Sequence, residues 1–496
     1  MKKRLKIPIE ISIDQGGTFT DLFVHHGDEI IVEKILTSTS GKSGNAPVEG
    51  IKKVLRRITG RENVDAFMHP SNFKSIRMGT TVATNALLER KGQPTVLAIT
   101  KGFESLLEIA EQTRSDLFEW RIHKHPPLYE QVVGINERII PGINGPEILT
   151  PLDQTSLRDK LRKLSLKGYE SIAIALMHAF QYPLHELQAG QIARECGFKN
   201  ICLSHQIMPV VKIVNRGNTT ILDAYLHQAV KEYLQSFFRA FCGEFERDQV
   251  LFMRSDGSLC NASEIRASEA LLSGPAGGFL GYSKTLFLDT PLIGYDMGGT
   301  STDVSRFDGE MPIAMEHTIA GLPIKVPHLV IETIAAGGGS ELSFAGGLMR
   351  VGPRSSGAEP GPLCYGKNGV LSLTDANLIL NRIIPEYFPK TFGLSGELPL
   401  NRELSLQGMQ ELIESMSSDN TLESSQFSSP EEAALGFVRI ANESMARPIL
   451  ELSAQKGFDP QEHHLVCFGG AGAQHACGID RKSTRLNSSH QIISYA

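Results

Sequence analysis

The chain has 496 residues, with 49 lysines and arginines against 55 aspartates and glutamates and a formal net charge of −6. That mildly acidic balance gives no electrostatic reason to expect a nucleic acid, and no apolar run reaches the roughly 18 residues of a membrane span. Its length suits about three domains, and its seven cysteines, without a C-x-x-C pair, suit reduced thiols in a cytoplasmic protein better than a disulfide frame or a zinc site.

In chain order, the basic start runs into a short apolar stretch interrupted by Pro8 and Glu10, which reads as a first strand rather than a signal peptide. Ile9, Ile11 and Ile13 alternate as in a strand. It ends on Asp14, followed by Gly16, Gly17, Thr18, Thr20 and Asp21. Glycines with Asp and Thr are ordinary hairpin chemistry. A carboxylate beside bare backbone N–H groups also suits a phosphate–magnesium complex, and a hairpin can itself fold over phosphates. The stretch SGKSG (40–44) is no P-loop, because Leu36 stands where the first glycine belongs. Residues 47–58 read as an amphipathic helix opened by Pro47. A further helix is expected over 83–92, closed by Gly92, with Thr80, Thr81 and Asn85 either meeting a substrate or capping and pinning that helix.

Strands at 95–100 and 171–180, a helix over 185–197 closed by Gly197 and a long helix over 219–245 continue an α/β alternation. A strand at 249–255 should open the second half, with Asp256 and Gly257 as a hairpin turn. The first motif then returns 282 residues on, in LIGYDMGGTSTDV (292–304): Asp296, Gly298, Gly299, Thr300, Thr302 and Asp303 repeat Asp14 to Asp21 at constant offset, with Ser301 between the threonines. A matched pair argues for two related half-domains facing one ligand. The Ser-rich stretch 414–433 reads as a surface loop leading into a helix near Pro430. A third apolar run, Leu465 to Phe468, enters Gly469, Gly470 and Gly472. Residues 471–476 then favour a helix whose N-terminal end can hold an anion. Cys467, inside that run, reads as a buried inert thiol. The histidines at 123, 125, 463 and 464 have no clear further metal ligand.

Two acid-Gly-Gly-Thr hairpins followed by a Gly-Gly-x-Gly turn resemble the actin, Hsp70 and sugar-kinase superfamily of ATPases. Within it the chain resembles the hydantoinase A/5-oxoprolinase family, through RMGTTVATNALLERKG (77–92), LLSGPAGG (271–278), YDMGGTSTDVSR (295–306), AAGGGS (335–340), VGPRSSGAEPGPLCYG (351–366) and LTDANL (373–378). EQTRSDLF (111–118) and ANESMARPI (441–449) look more like ATP-dependent 5-oxoprolinases than hydantoinases or acetone carboxylase subunits. The resemblance implies two ribonuclease H-like half-domains around an ATP cleft: an N-terminal domain over 1–215 and an ATPase domain over 216–480.

It further implies ATP and Mg²⁺ as cofactors. Asp14 and Asp296 would be the catalytic and magnesium-binding acids. Gly16, Gly17, Thr18, Thr20, Gly298, Gly299, Thr300 and Ser301 would hold the β- and γ-phosphates, and Gly469, Gly470 and Gly472 would admit the nucleoside. Thr80, Thr81, Asn85 and Arg114 are the candidates for a cyclic amide. The implied reaction is phosphorylation of the lactam oxygen of 5-oxo-L-proline, after which water opens the ring to L-glutamate. A hydantoinase B-like region or subunit would complete that step, in a homo-oligomer. The alternatives are an ATPase subunit of a hydantoinase or acetone carboxylase-type enzyme, and a non-enzymatic actin- or Hsp70-like nucleotide switch. Residues 481–496, DRKSTRLNSSHQIISYA less its first Asp, depart from the family and resemble adaptor read-through rather than a native tail.

Overall fold

The computed structural model describes residues 3–17, 19–37, 45–110, 126–285, 290–319, 322–417, 427–483 and 491–492. Three larger sheets organise them. In the first, strand Ile9–Gln15 lies between its hairpin partner Phe19–His26 and a parallel strand, Phe73–Thr80. Glu29–Leu36 extends the hairpin side. Helix Ala46–Thr59 covers this sheet with Ile51, Val54 and Leu55 against Leu22, Val24 and Ile31, all fully or almost fully buried. Each such side chain contributes about 1.5–3 kcal/mol on burial. A Cβ at Gly50 would run into Leu22, so glycine sets how closely the helix approaches.

The second sheet is four parallel strands in the order Asn200–Leu203, Ser171–Ala175, Thr95–Thr100 and Gln131–Ile135. The third repeats the first: Leu292–Met297 lies between its hairpin partner Thr302–Phe307 and the parallel strand His464–Phe468, with Ile331–Ile334 beyond the hairpin. Helix Pro430–Leu452 covers it with Phe437, Val438, Ala441 and Met445 against Tyr295, Met297 and Val304. The architecture is therefore α/β with two like-built halves. Helix Ser273–Thr285 touches both hairpin sheets, packing on Ile9–Gln15 and Phe73–Thr80 on one side and Leu292–Met297 on the other.

Several boundaries differ from expectation for definable reasons. Strand Val250–Met253 does not open the second half: it pairs in parallel with Phe73–Thr80 in the first sheet, and its hairpin partner Leu259–Asn261 follows it there. The long helix runs Ile213–Arg239 rather than 219–245. The helix at 83–92 stops at Leu88, because Arg90 takes the left-handed backbone (φ 54°). Gly92 serves another end, since any Cβ there would overlap Tyr225. The strand expected over 171–180 ends at Ala175, before a turn at His178 with φ 58°. Glu414 to Ser417 finish helix Arg402–Ser417 rather than starting a loop. Gly197 (φ 99°) and the turn at Gly257 (φ 82°) stand as expected. Among the described residues no helix is long and apolar enough to cross a membrane. SGKSG (40–44) and the histidines at 123 and 125 lie outside the described residues.

Candidate functional site

The two hairpins match in register and in the hydrogen bond that closes each turn. Asp14 pairs with Asp21 and Asp296 with Asp303, so each pair of acids faces one side of its sheet. Gly16 N donates to Phe19 O at 2.9 Å and Gly298 N to Ser301 O at 3.0 Å. Those two N–H groups close their own turns. Gly17, Gly299, Thr300 and Ser301 remain on the open side, with Gly17 and Thr300 exposed. The turns face each other, since a Cβ at Gly17 would sit 3.9 Å from Thr300 Oγ1.

Thr20 lies behind its turn. It is fully buried and its hydroxyl meets Thr37 Oγ1 at 3.0 Å, while Thr37 Oγ1 donates to Gly16 O at 2.9 Å. Its counterpart Thr302 is buried too and donates to Ala336 O. Both threonines brace their turns from behind. Thr18 and Arg114 lie outside the described residues.

The acids crowd one another. Asp14 keeps contact with solvent in the cleft, yet lost hydration first, then the Asp21 charge, raises it to about 6 against the pull of Lys34. Asp296 is raised further, to about 8, by lost hydration and then by Asp303, Asp14 and Asp21, again with Lys34 opposing. Asp303 reaches about 6, chiefly through burial, although Thr333 bonds its carboxylate. Four carboxylates from two sheets thus feel one another across one cleft. A divalent cation would relieve that repulsion. Among the described residues no group of three or more His, Cys, Asp or Glu side chains is spaced to hold a metal. Mg²⁺ needs only one or two carboxylates, completing its shell with water and phosphate oxygens, so Asp14 and Asp296 fit it.

The third turn packs against the second hairpin. Gly469 has φ 80°, and a Cβ on it would overlap the Asp296 carboxylate and lie 2.6 Å from Met297 O. Ala471 N donates to Met297 O at 2.9 Å. Gly472 is buried and a Cβ there would sit 2.9 Å from Cys467 Sγ, so it serves packing rather than ligand entry. Gly470 alone of the three is exposed with nothing within 4 Å of a Cβ. Instead of a continuous helix from Ala471, one tight turn at Gly472–Gln474 precedes helix Ala476–Ser483. Between them His475, fully buried, joins Asn442 Oδ1 at 2.7 Å and Asn377 Nδ2 at 2.9 Å, and burial drives its pKa down to about 3. Cys467 is buried, which pushes its thiol up to about 12. His463 is held by Arg306 Nε at 2.8 Å and the Asp459 carbonyl.

On the first lobe, Thr80 is buried and Val82 N donates to its hydroxyl at 3.3 Å, one residue ahead of the N-cap Thr81, which makes no side-chain cap bond. Thr81 Oγ1 donates to Gln15 O at 3.1 Å and receives Asn85 Nδ2 at 3.3 Å. These bonds pin the helix to the end of the first strand, beside Asp14.

Sequence reasoning missed three supports of this constellation. Helix Ser273–Thr285 passes both acids with glycines one turn apart: a Cβ at Gly274 would lie 3.6 Å from Asp14 Oδ1, and one at Gly278 3.3 Å from Asp296 Oδ2. The four-residue spacing of those glycines was a usable signal, since i and i+4 share a helix face. Gly338 N and Gly339 N donate to Gly298 O and Gly299 O at 3.0 and 2.6 Å, and Thr374 Oγ1 to Gly338 O at 2.8 Å. The Gly-rich 335–340 loop therefore backs the second turn. Lys34 had no signal at all.

The chain matches the hydantoinase/oxoprolinase family over residues 216–494 and its N-terminal region over residues 10–197. It is 42% identical to a 5-oxoprolinase of Dictyostelium discoideum, covering 96% of this chain and 41% of that protein. It is 44% identical to 5-oxoprolinase 1 of Arabidopsis thaliana, covering 95% and 39%. The chain thus spans about 40% of the length of these relatives. Its structure resembles that of an ATP-dependent caprolactamase from Pseudomonas jessenii, with TM-score 0.73, 27% identity, and coverage of 96% of this chain and 68% of the other. With both family regions matched and the paired hairpins in place, the chain belongs to the hydantoinase/oxoprolinase family.

Proposed function

We propose that this chain is the ATP-using part of an enzyme that hydrolyses 5-oxo-L-proline to L-glutamate. The observation that carries the proposal is the facing pair of identically registered hairpins, Asp14 opposite Asp296, in a chain 42–44% identical to proteins named 5-oxoprolinase. The N–H and hydroxyl groups of Gly17, Gly299, Thr300 and Ser301 hold the β- and γ-phosphates, and Gly470 gives the nucleotide its open approach. Asp14 and Asp296 hold a magnesium ion. When bound, that ion neutralises phosphate charge. Catalysis on this chain is then positioning and charge stabilisation, as phosphoryl transfer requires.

On this reading the lactam would lie against Thr81, whose methyl group is beside Gly274 near Asp14. The γ-phosphoryl group passes from ATP to the lactam oxygen and ADP leaves; the C–N bond loses its amide resonance, one water adds to the ring carbon as that bond breaks, and a second water releases phosphate from the acyl phosphate so formed. The nitrogen leaves with a proton as the amine of glutamate. Ring opening belongs to a hydantoinase B-like region, consistent with a chain that spans about 40% of its relatives. Asp14→Ala and Asp296→Ala should each abolish ATP turnover without unfolding the protein, and turnover by the chain together with a B-like region should rise with 5-oxo-L-proline. Equal phosphate release with and without 5-oxo-L-proline would sink the substrate assignment. Normal turnover in both variants would sink the site.

A further inference from the structure

The two hairpins are alike, but the third strand beside each is not. In the first lobe Asp14, Asp21 and Lys34 are successive cross-strand partners, so their side chains share one face of the sheet. In the second lobe the same row is Asp296, Asp303 and Thr333. Lys34 Nζ donates to both carboxylate oxygens of Asp21, at 2.7 and 2.8 Å, and lies 5.0 Å over the Phe19 ring. Thr333 Oγ1 donates to Asp303. A neutral hydroxyl in one lobe occupies the place of a cation in the other.

We infer that Lys34 breaks the twofold equivalence of the site, making the first lobe the side that receives the most highly charged phosphate and leaving the divalent cation shared by Asp14 and Asp296 to be held chiefly from the Asp296–Asp303 side. The inference rests on the nucleotide reading above and adds an orientation to it. One row holds two carboxylates and an ammonium; the other holds two carboxylates and no cation. A polyanion is drawn to the first and a dication to the second. Lys34 is only partly covered, with a fifth of its side chain exposed (20%), so its charge is not sealed inside the sheet. Asp21, which Lys34 holds, is the cross-strand partner of Asp14, so the ammonium stands on the same sheet face as the first acid of the cleft, two strands away. Lys34 is thus a positioning residue that acts through Asp21 and through its field.

The test uses the full chain with Lys34→Met, Lys34→Arg and Thr333→Lys. Mn²⁺ binding is read by electron paramagnetic resonance without nucleotide, and ATP and AMP binding by calorimetry. Lys34→Met should weaken ATP about tenfold or more, as loss of a charge-assisted contact does, and leave AMP unchanged, with Arg restoring ATP to within about threefold. The same Lys34→Met change should leave Mn²⁺ affinity unchanged or raise it, whereas Thr333→Lys should weaken Mn²⁺ by about tenfold or more. Unchanged ATP affinity in Lys34→Met, Mn²⁺ lost together with ATP, or Mn²⁺ retained in Thr333→Lys would each overturn the inference alone. Equal loss of ATP and AMP would show that Lys34 only holds the fold, and would overturn it too. A wild-type chain that binds neither ATP nor Mn²⁺ overturns the nucleotide reading and the inference with it.

Discussion

Gly469 and Gly470 are neighbours in one turn, and the structure gives them opposite consequences. A Cβ at Gly469 would overlap the Asp296 carboxylate and lie 2.6 and 2.8 Å from Met297 O and N, two backbone atoms that no rotamer change can move. Its φ of 80° adds the left-handed cost, about 1–2 kcal/mol for an alanine. Relief of the overlap costs about 1–3 kcal/mol more. Gly469→Ala should therefore destabilise the protein by roughly 2–5 kcal/mol. It should also shift Asp296 by a distance on the order of 1 Å, enough to lower ATP turnover about 100-fold. Gly470→Ala meets nothing within 4 Å, so stability should stay within about 0.5 kcal/mol. Its methyl group instead occupies the open face, and ATP affinity should fall. Urea unfolding midpoints and ATP calorimetry on both variants separate the effects. Wild-type stability and ATP affinity in Gly469→Ala, or unfolding in Gly470→Ala, would refute this reading of the turn.

Two further outcomes follow from buried polar groups. Asp296 is raised from its ordinary value of 3.8 to about 8, so the folded state binds a proton that the unfolded state releases, and Asp296 costs stability progressively as pH rises from about 4 to about 8. The melting temperature of the metal-free wild type should fall by several degrees relative to Asp296→Asn across that window; a constant difference would contradict it. Asn442→Ala leaves the buried His475 Nδ1–H without its 2.7 Å partner, for a loss of about 1–3 kcal/mol, and an unchanged urea midpoint would show that the network does not carry the third turn.

What the sequence revealed of the site, and what it hid, follows from how far each signal is local. Asp14 to Asp21 and Asp296 to Asp303 could be read because a hairpin is set by its own residues, and both copies kept the same spacing. The same residues could not say which way each group points. Thr20 and Thr302 look like Thr300 in a sequence, but strand alternation turns them inward onto Thr37 and Ala336. Gly472 looks like Gly470, yet one fills a gap against Cys467 and the other faces open space. Strand Val250–Met253 was misplaced because its parallel partner lies at 73–80, a pairing that no local pattern records. The third strands were hidden most completely. Lys34 follows Asp21 by 13 residues, whereas Thr333 follows Asp303 by 30, because a tight turn joins the strands in the first lobe and the hairpin strand Ile313–Ile319 intervenes in the second. The constant offset that exposed the repeat ends with the second strand of each hairpin. The charge that distinguishes the two lobes lies just beyond it.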